Sequence, residues 1–318
     1  MLKKAIITAA GKGTRQYPAT NAVQKELLPV VDVDGITKPT LQVMMEQLLD
    51  AGIEEIALIV QPGEEQQFKA HFHGLLESEK PAFQKKPWAL QQSERLERMQ
   101  SAITYIHQTE QLGFGHAVHC AKAWAANEPV LLLLGDHVFV SHVEDSCVQQ
   151  VVKMYERFRK SVFALQQTPI EELYLFGTVG GTLIDSRHGS YELDRIAEKP
   201  EPEFAKTHLT IPELPPHMFL TIFGIYALTP TIFDILDDHI RHNKRLHGEI
   251  QLTSALEELL HQDGGIGFEV AGERLDMGNP FGYLHTLLAL GLHGPFAHEL
   301  TAKLEHYIKT KHLSSQVF

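Results

Sequence analysis

A chain of 318 residues with an apolar fraction of 43% can bury a large core, as one big domain or two. Its formal charge of −12 lacks the basic footprint of a nucleic-acid surface, and no apolar run is long enough to span a bilayer, so neither nucleic acid nor membrane is an expected partner. Cys120 and Cys147 are too few for a disulfide framework and show no metal-ligand spacing. The basic start is followed by too short an apolar stretch for a signal peptide, so the expected location is the cytoplasm.

The run Ala5-Ile6-Ile7 reads as a buried strand. It breaks into Ala9-Ala10-Gly11-Lys12-Gly13-Thr14-Arg15, where small residues let backbone approach a ligand and free N–H groups face an anion. Arg15 adds a fork of donors suited to phosphate oxygens, and Lys25 adds a point charge. A triphosphate site is the expectation. A dinucleotide fingerprint is excluded because Gln16 stands where a third small residue is needed, and P-loop spacing does not occur.

Residues 40–51 have helical spacing, with Leu41, Met44, Met45, Leu48 and Leu49 on one face and Gly52 as the stop. Residues 55–61 read as a strand, followed by a turn at Pro62-Gly63 and a polar helix through Phe72. The charged stretch 77–100 reads as a surface excursion with a helix at 93–99. A strand at 103–107 leads through Gln108 to a loop ending at Gly113 and Gly115, which opens a helix. Residues 129–134 form a continuous apolar run suited to a central strand covered on both faces, ending at Gly135-Asp136. A helix is expected beyond Val143, then a strand at 161–166.

From Leu173 the pattern changes to antiparallel strands at 174–183 and 190–197, with another long strand at 219–228. Helices are expected at 230–237 and 249–261, a short strand at 268–271, and helix through 281–312. The fold expected is α/β: a Rossmann-like mixed, mostly parallel central sheet flanked by helices, with a small antiparallel subregion and C-terminal helices. Residues 1–290 would form the main domain and 291–318 a helical extension. The scattered histidines, including His71, His73, His239, His242 and His247, lack an accompanying ligand pattern and are expected at the solvated surface.

Ligands of open parallel sheets bind at the carboxyl ends of strands. Two acids stand at such strand ends beside glycine, Asp136 in LGDH and Asp276 in LDMGN. The opening motif, AAGKGTR followed by KELLPV, resembles the signature of the sugar-phosphate nucleotidyltransferases, and matching blocks continue in order to about Leu290.

That resemblance implies an enzyme joining a nucleoside triphosphate to a sugar 1-phosphate, with UTP and glucose 1-phosphate the implied pair; the C-terminal helices make a homo-oligomer the expectation. Asp136 and Asp276 would hold Mg2+. Ala10, Gly11, Gly13, Thr14, Gln108 and Gly113 would meet the nucleotide, with Arg15 at the β- and γ-phosphates and Lys25 near the α-phosphate. Gly177, Glu198, Lys199 and Gly224 would meet the sugar or its phosphate, although each glycine also reads as a strand bulge. Another sugar, another triphosphate (dTTP, CTP or ATP), or a non-catalytic nucleotide-sugar sensor or assembly subunit stays open. Four departures from the family pattern bear on base and sugar: an insertion at 33–37, Leu112, Phe219 and Gly248.

Overall fold

The computed structural model describes residues 2–310. The chain opens with β1 (Lys4–Thr8) and, after the glycine loop, forms a small hairpin of β2 (Pro29–Val31) and β3 (Thr37–Pro39). The insertion at 33–37 is the tip and return of this hairpin. Helix α1 (Thr40–Asp50) follows, then β4 (Glu55–Val60), α2 (Glu65–Phe72), α3 (Pro87–Ala102) and β5 (Ile103–His107).

Next come α4 (Phe114–His119), α5 (Lys122–Ala125), β6 (Val130–Leu134), β7 (His137–Ser141), α6 (Cys147–Phe158) and β8 (Val162–Pro169). The second half adds β9 (Gly177–Asp185), β10 (Ser190–Glu198), α7 (Pro202–His208), β11 (Met218–Leu228), α8 (Thr231–Arg241) and α9 (Leu252–Asp263). The chain then runs through β12 (Gly265–Glu269), β13 (Gly272–Asp276), α10 (Pro280–His293) and α11 (Ala297–Thr310).

Nine strands form the central sheet in the order β5-β4-β1-β6-β11-β8-β12-β10-β9, and β11 also touches β9. Only β10 and β11 run against the other strands, which makes the sheet mixed but mostly parallel. Strand periodicity divides the core. Ile7, Leu131 and Leu133 join one cluster with Leu41, Met44, Met45 and Leu48 of α1, while Ile6, Val130 and Leu132 face the other with Ile232 and Leu236 of α8. Burial on both faces explains why these strands read as unbroken apolar runs. No helix among the described residues is long and apolar enough to cross a membrane.

Several expectations are corrected. The excursion at 77–100 is largely α3, a full helix beginning at Pro87, which turns Ala89, Ser93 and Met99 inward and its charges outward. The strand expected from residue 174 begins at Gly177, because a 3₁₀ turn occupies Ile170–Leu175. Strand β7 and helix α7 were not anticipated; β7 pairs outside the main sheet with β13 as a separate two-stranded ribbon. His239 lies on the apolar face of α8, is buried, and has Nε2 2.8 Å from Glu258, so it is a partnered core histidine.

Both cysteines are free, with Cys147 buried and its thiol pushed up to about 12 by burial. The division expected at residue 290 falls inside α10, where Leu290 is buried against Leu28, Val30 and Val138. The last two residues of the helix expected to reach 312 lie outside the described residues.

Candidate active site

The parallel strands β1, β5 and β6 end along one edge of the sheet, and a cleft opens there. It has two adjoining cavities of about 360 and 240 Å³, and Phe114, Leu134 and Asp136 line both. The first is also lined by Ala10, Gly11, Lys25, Gln108 and Gly113. The second is lined by Arg15, Gly177, Glu198, Lys199 and Asp276. The residues expected at the sugar phosphate gather in the second chamber and most of those expected at the nucleotide line the first, with Asp136 lining both; Arg15, expected at the β- and γ-phosphates, lines the second.

Asp136 follows β6, and Asp276 ends β13. The ribbon sets His137 opposite Asp276, and Met277 N donates to Asp136 O at 2.9 Å. The ladder thus places the two acids side by side although they are distant in sequence. Their carboxylates converge on Gly278. A methyl group there would lie 2.9 Å from Asp276 Oδ1, 3.0 Å from Asp136 Oδ2 and 2.5 Å from Arg15 Nη2. The two carboxylate oxygens at this cradle suit a hard divalent cation, with the Arg15 guanidinium beside them in its place here.

The acidic trio Asp32, Asp34 and Glu46 is a poorer candidate, because the buried ammonium of Lys38 sits 2.7, 2.6 and 2.7 Å from its carboxylates.

Electrostatics tie the site together. Lys25 Nζ donates to Asp136 Oδ2 at 2.7 Å and lies 3.6 Å from Glu26 Oε1. Burial alone would favour the neutral amine, but Asp136 and Glu26 outweigh it and raise the Lys25 pKa. Burial likewise opposes charge on Asp136. The hydrogen bond with His137 (3.0 Å) and the charge of Lys25 overcome it, and hold the carboxyl well below the usual range. Glu26 is fully buried beneath this pair. Neither carboxylate oxygen has a hydrogen-bond partner among the described residues, and burial pushes its pKa up to about 8 against the pull of Lys25.

Glycine is required at two loop positions. Gly135 passes so close to β1 that a Cβ would lie 2.2 Å from Thr8 O. Gly113, at φ 121, would clash with Ile250 O at 2.7 Å; there Ile250 N donates to Leu112 O at 2.7 Å and Gly115 N donates to Ile250 O at 2.9 Å. Leu112 thus departs from the family pattern without loss of the loop: its backbone joins the 250 segment and its side chain packs on the core. Gln108 is buried and its amide donates to Gly113 O at 3.2 Å, while its side-chain oxygen has no hydrogen-bond partner among the described residues.

In the second chamber Thr253 donates to Glu198 Oε2 at 2.6 Å. Lys199 holds a left-handed backbone, φ 45, with its N–H on Phe176 O at 3.1 Å. That conformation costs a lysine about 1–2 kcal/mol, and such strain gathers at functional positions.

Three expected residues lie apart from the cavity walls. Gly13 and Thr14 form the turn leading into Arg15, with Thr20 Oγ1 donating to Gly13 O at 3.2 Å. Gly224 occupies an irregularity in β11 behind Leu134 and His137, so at that position the bulge reading describes the geometry. Sequence reasoning missed His137, Thr253, Glu26 and Arg274. The signal for His137 was adjacency to Asp136 and for Glu26 adjacency to Lys25; Thr253 and Arg274 come to the site only through distant strand and helix packing. Phe219 fills a small core with Leu173, Ala205 and Leu209, and the turn at Gly248 is open to solvent.

Residues 4–288 match the family model described as nucleotidyl transferase. A UTP–glucose-1-phosphate uridylyltransferase of Staphylococcus epidermidis is 34% identical over 309 residues, spanning 97% of this chain and 98% of that one. A crystal structure of UDP-glucose pyrophosphorylase complexed with UDP-glucose superposes with a TM-score of 0.72 at 28% identity, covering 91% of this chain and 98% of the other. A UTP-bound UGPase from Acinetobacter baumannii gives 0.76 at 26%, covering 96% and 99%. This chain therefore belongs to the nucleotidyl transferase family.

Proposed function

We propose that the chain transfers a uridylyl group from UTP to glucose 1-phosphate, forming UDP-glucose and releasing pyrophosphate. The observation carrying this reading is the meeting of two chambers at Asp136, opposite Asp276 and Arg15. Relatives named for this reaction match nearly the whole chain.

A phosphate oxygen of glucose 1-phosphate attacks the α-phosphorus of UTP. The bond from that phosphorus to the oxygen bridging the α- and β-phosphates breaks, and pyrophosphate carries the electron pair away. A phosphate dianion is already nucleophilic near neutral pH, so no general base is needed. Most of the work is positioning and charge stabilisation.

In this reading Ala10, Gly11 and Gly113 bring backbone against the nucleotide, and Gly13 and Thr14 shape the turn that presents Arg15 to the β- and γ-phosphates. Lys25 faces the α-phosphate, where negative charge builds. The free oxygen of Gln108 accepts from the imide N–H of a uracil, a donor that cytosine lacks. Glu198, fixed by Thr253, accepts from sugar hydroxyls; Gly177 leaves room for the ring, Gly224 supports the wall behind it, and Lys199 holds the sugar phosphate.

Asp136 and Asp276 are the proposed Mg2+ ligands, and the ion would supply charge neutralisation and polarisation of the phosphates. The reaction belongs in the cytoplasm, where nucleoside triphosphates are made. Exposed Phe281, Leu284, Phe296 and Ile308 on and between the last two helices support self-association.

The test is a matrix of nucleoside triphosphates against sugar 1-phosphates with Mg2+, read by pyrophosphate release. UTP with glucose 1-phosphate is expected to be the best pair, and a better pair would overturn the substrate assignment.

A further inference from the structure

Arg274 lies on β13, two residues before Asp276, and lines the second chamber beside Glu198, Lys199 and Tyr226. Its guanidinium stacks on Phe176, 3.8 Å from the ring centroid, and Nη1 donates to the carbonyl of Ile222. Those contacts fix the plane of the group between two walls of the cavity. They use one of its five N–H donors.

No carboxylate lies within ion-pairing distance of Arg274 among the described residues, whereas Lys25, Arg15 and Lys199 each have one within 4.0 Å. The charges of Asp276 and Glu172 act on this largely enclosed cation only from a distance, and a ligand that set an anion against it would offset the cost of its burial. A guanidinium flattened against an aromatic ring is also well prepared to present its edge to a planar pair of anionic oxygens. A purely structural strut between Phe176 and Ile222 would not need a permanent charge.

We propose that Arg274 is a substrate-binding and specificity residue of the second chamber, taking phosphate oxygens of the sugar 1-phosphate on its free N–H edge. It acts from within the wall, while Lys199 reaches the same phosphate from the more exposed rim. Two cations on one phosphate would favour a sugar 1-phosphate over the free sugar, and would hold the attacking oxygen on a short tether. This inference rests on the reading that the second chamber takes a sugar 1-phosphate.

The experiment uses the full-length chain and two variants, Arg274→Gln and Arg274→Lys. Glutamine can still donate to the Ile222 carbonyl but carries no charge; lysine keeps the charge but loses the stacked fork. KM for glucose 1-phosphate is measured at saturating UTP, and KM for UTP at saturating glucose 1-phosphate. Binding of glucose 1-phosphate alone is measured by calorimetry without metal.

Arg274→Gln is expected to raise KM for glucose 1-phosphate by about 10–100-fold, the loss of a charge-assisted hydrogen bond, and to weaken metal-free binding in parallel. KM for UTP should stay within about twofold, and Arg274→Lys should recover part of the loss. The proposal is overturned if Arg274→Gln leaves the sugar-phosphate KM unchanged, or raises both KM values alike. An unfolded Arg274→Gln leaves Arg274→Lys to decide, since a folded lysine variant with unaltered sugar-phosphate binding and no change in selectivity against the free sugar also refutes it. A wild type that accepts UTP but prefers a different sugar 1-phosphate would correct the substrate assignment alone, and the same comparison would then be made with that sugar.

Discussion

Replacing Lys38 with methionine offers a sharp test of how the hairpin beside the cleft is held. The Lys38 ammonium is buried, at 2% exposure, and sits 2.6–2.7 Å from Asp32, Asp34 and Glu46. Burial alone would lower its pKa, but the three carboxylates raise it above the ordinary lysine value. Asp34 is partly exposed, so water screens its share. Asp32 and Glu46 are more enclosed, and removing the cation leaves them facing each other uncompensated.

Breaking a buried pair in this way costs about 3–5 kcal/mol. For a chain of this length that is a fall of about 5–7 °C in Tm. The ligand oxygens of the three acids lie within 4.8 Å of one another, so the vacated centre should accept calcium. With an affinity of about 1 mM, 10 mM calcium would restore roughly 1.4 kcal/mol, or about 2 °C.

The assay is thermal unfolding of wild type and Lys38→Met with and without calcium, comparing the two calcium-induced shifts so that binding elsewhere cancels. A variant as stable as wild type would refute the account of the clasp. A destabilised variant with no extra calcium response would refute the claim that the three carboxylates stay gathered.

Other outcomes follow from the site itself. Asp136→Asn and Asp276→Asn are each expected to lower pyrophosphate release by roughly 10³-fold or more while circular dichroism stays native; near-normal turnover in either would remove its assigned metal role. Gly278→Ala places a methyl among Arg15, Asp136 and Asp276, and kcat/KM should drop about 100-fold with little change in Tm. Glu26 keeps its proton in the folded chain up to about pH 8, but loses it near 4.5 when unfolded. Stability should therefore fall as pH rises from about 4.5 to 8, by up to roughly 1.4 kcal/mol per unit from this one group. Glu26→Gln should flatten that slope in urea unfolding and be the more stable form at pH 8; an unchanged slope would show that Glu26 is ionised throughout.

The features readable from sequence were those written in consecutive residues. Ala5-Ile6-Ile7 and residues 130–134 are apolar without alternation because the sheet is covered on both faces, and such a run needs no knowledge of distant partners. The glycine loop with Arg15 and Lys25 was legible for the same reason. Strand β7 was missed because it follows β6 after only Gly135 and Asp136, and its pairing partner arrives much later as β13. His239 was misread as solvated because its carboxylate partner, Glu258, lies on the next helix. Arg274 and Thr253 were invisible as site residues because each reaches the second chamber through packing that no local spacing records.

The ribbon of β7 and β13 has a consequence for the birth of the protein. Asp136 leaves the ribosome long before Asp276, and the strand that aligns them is among the last to emerge. A polypeptide abandoned before that strand carries the glycine loop but only half of the acid pair. In the proposed reading, in which both acids hold the ion, chains that stop short of β13 should release no pyrophosphate.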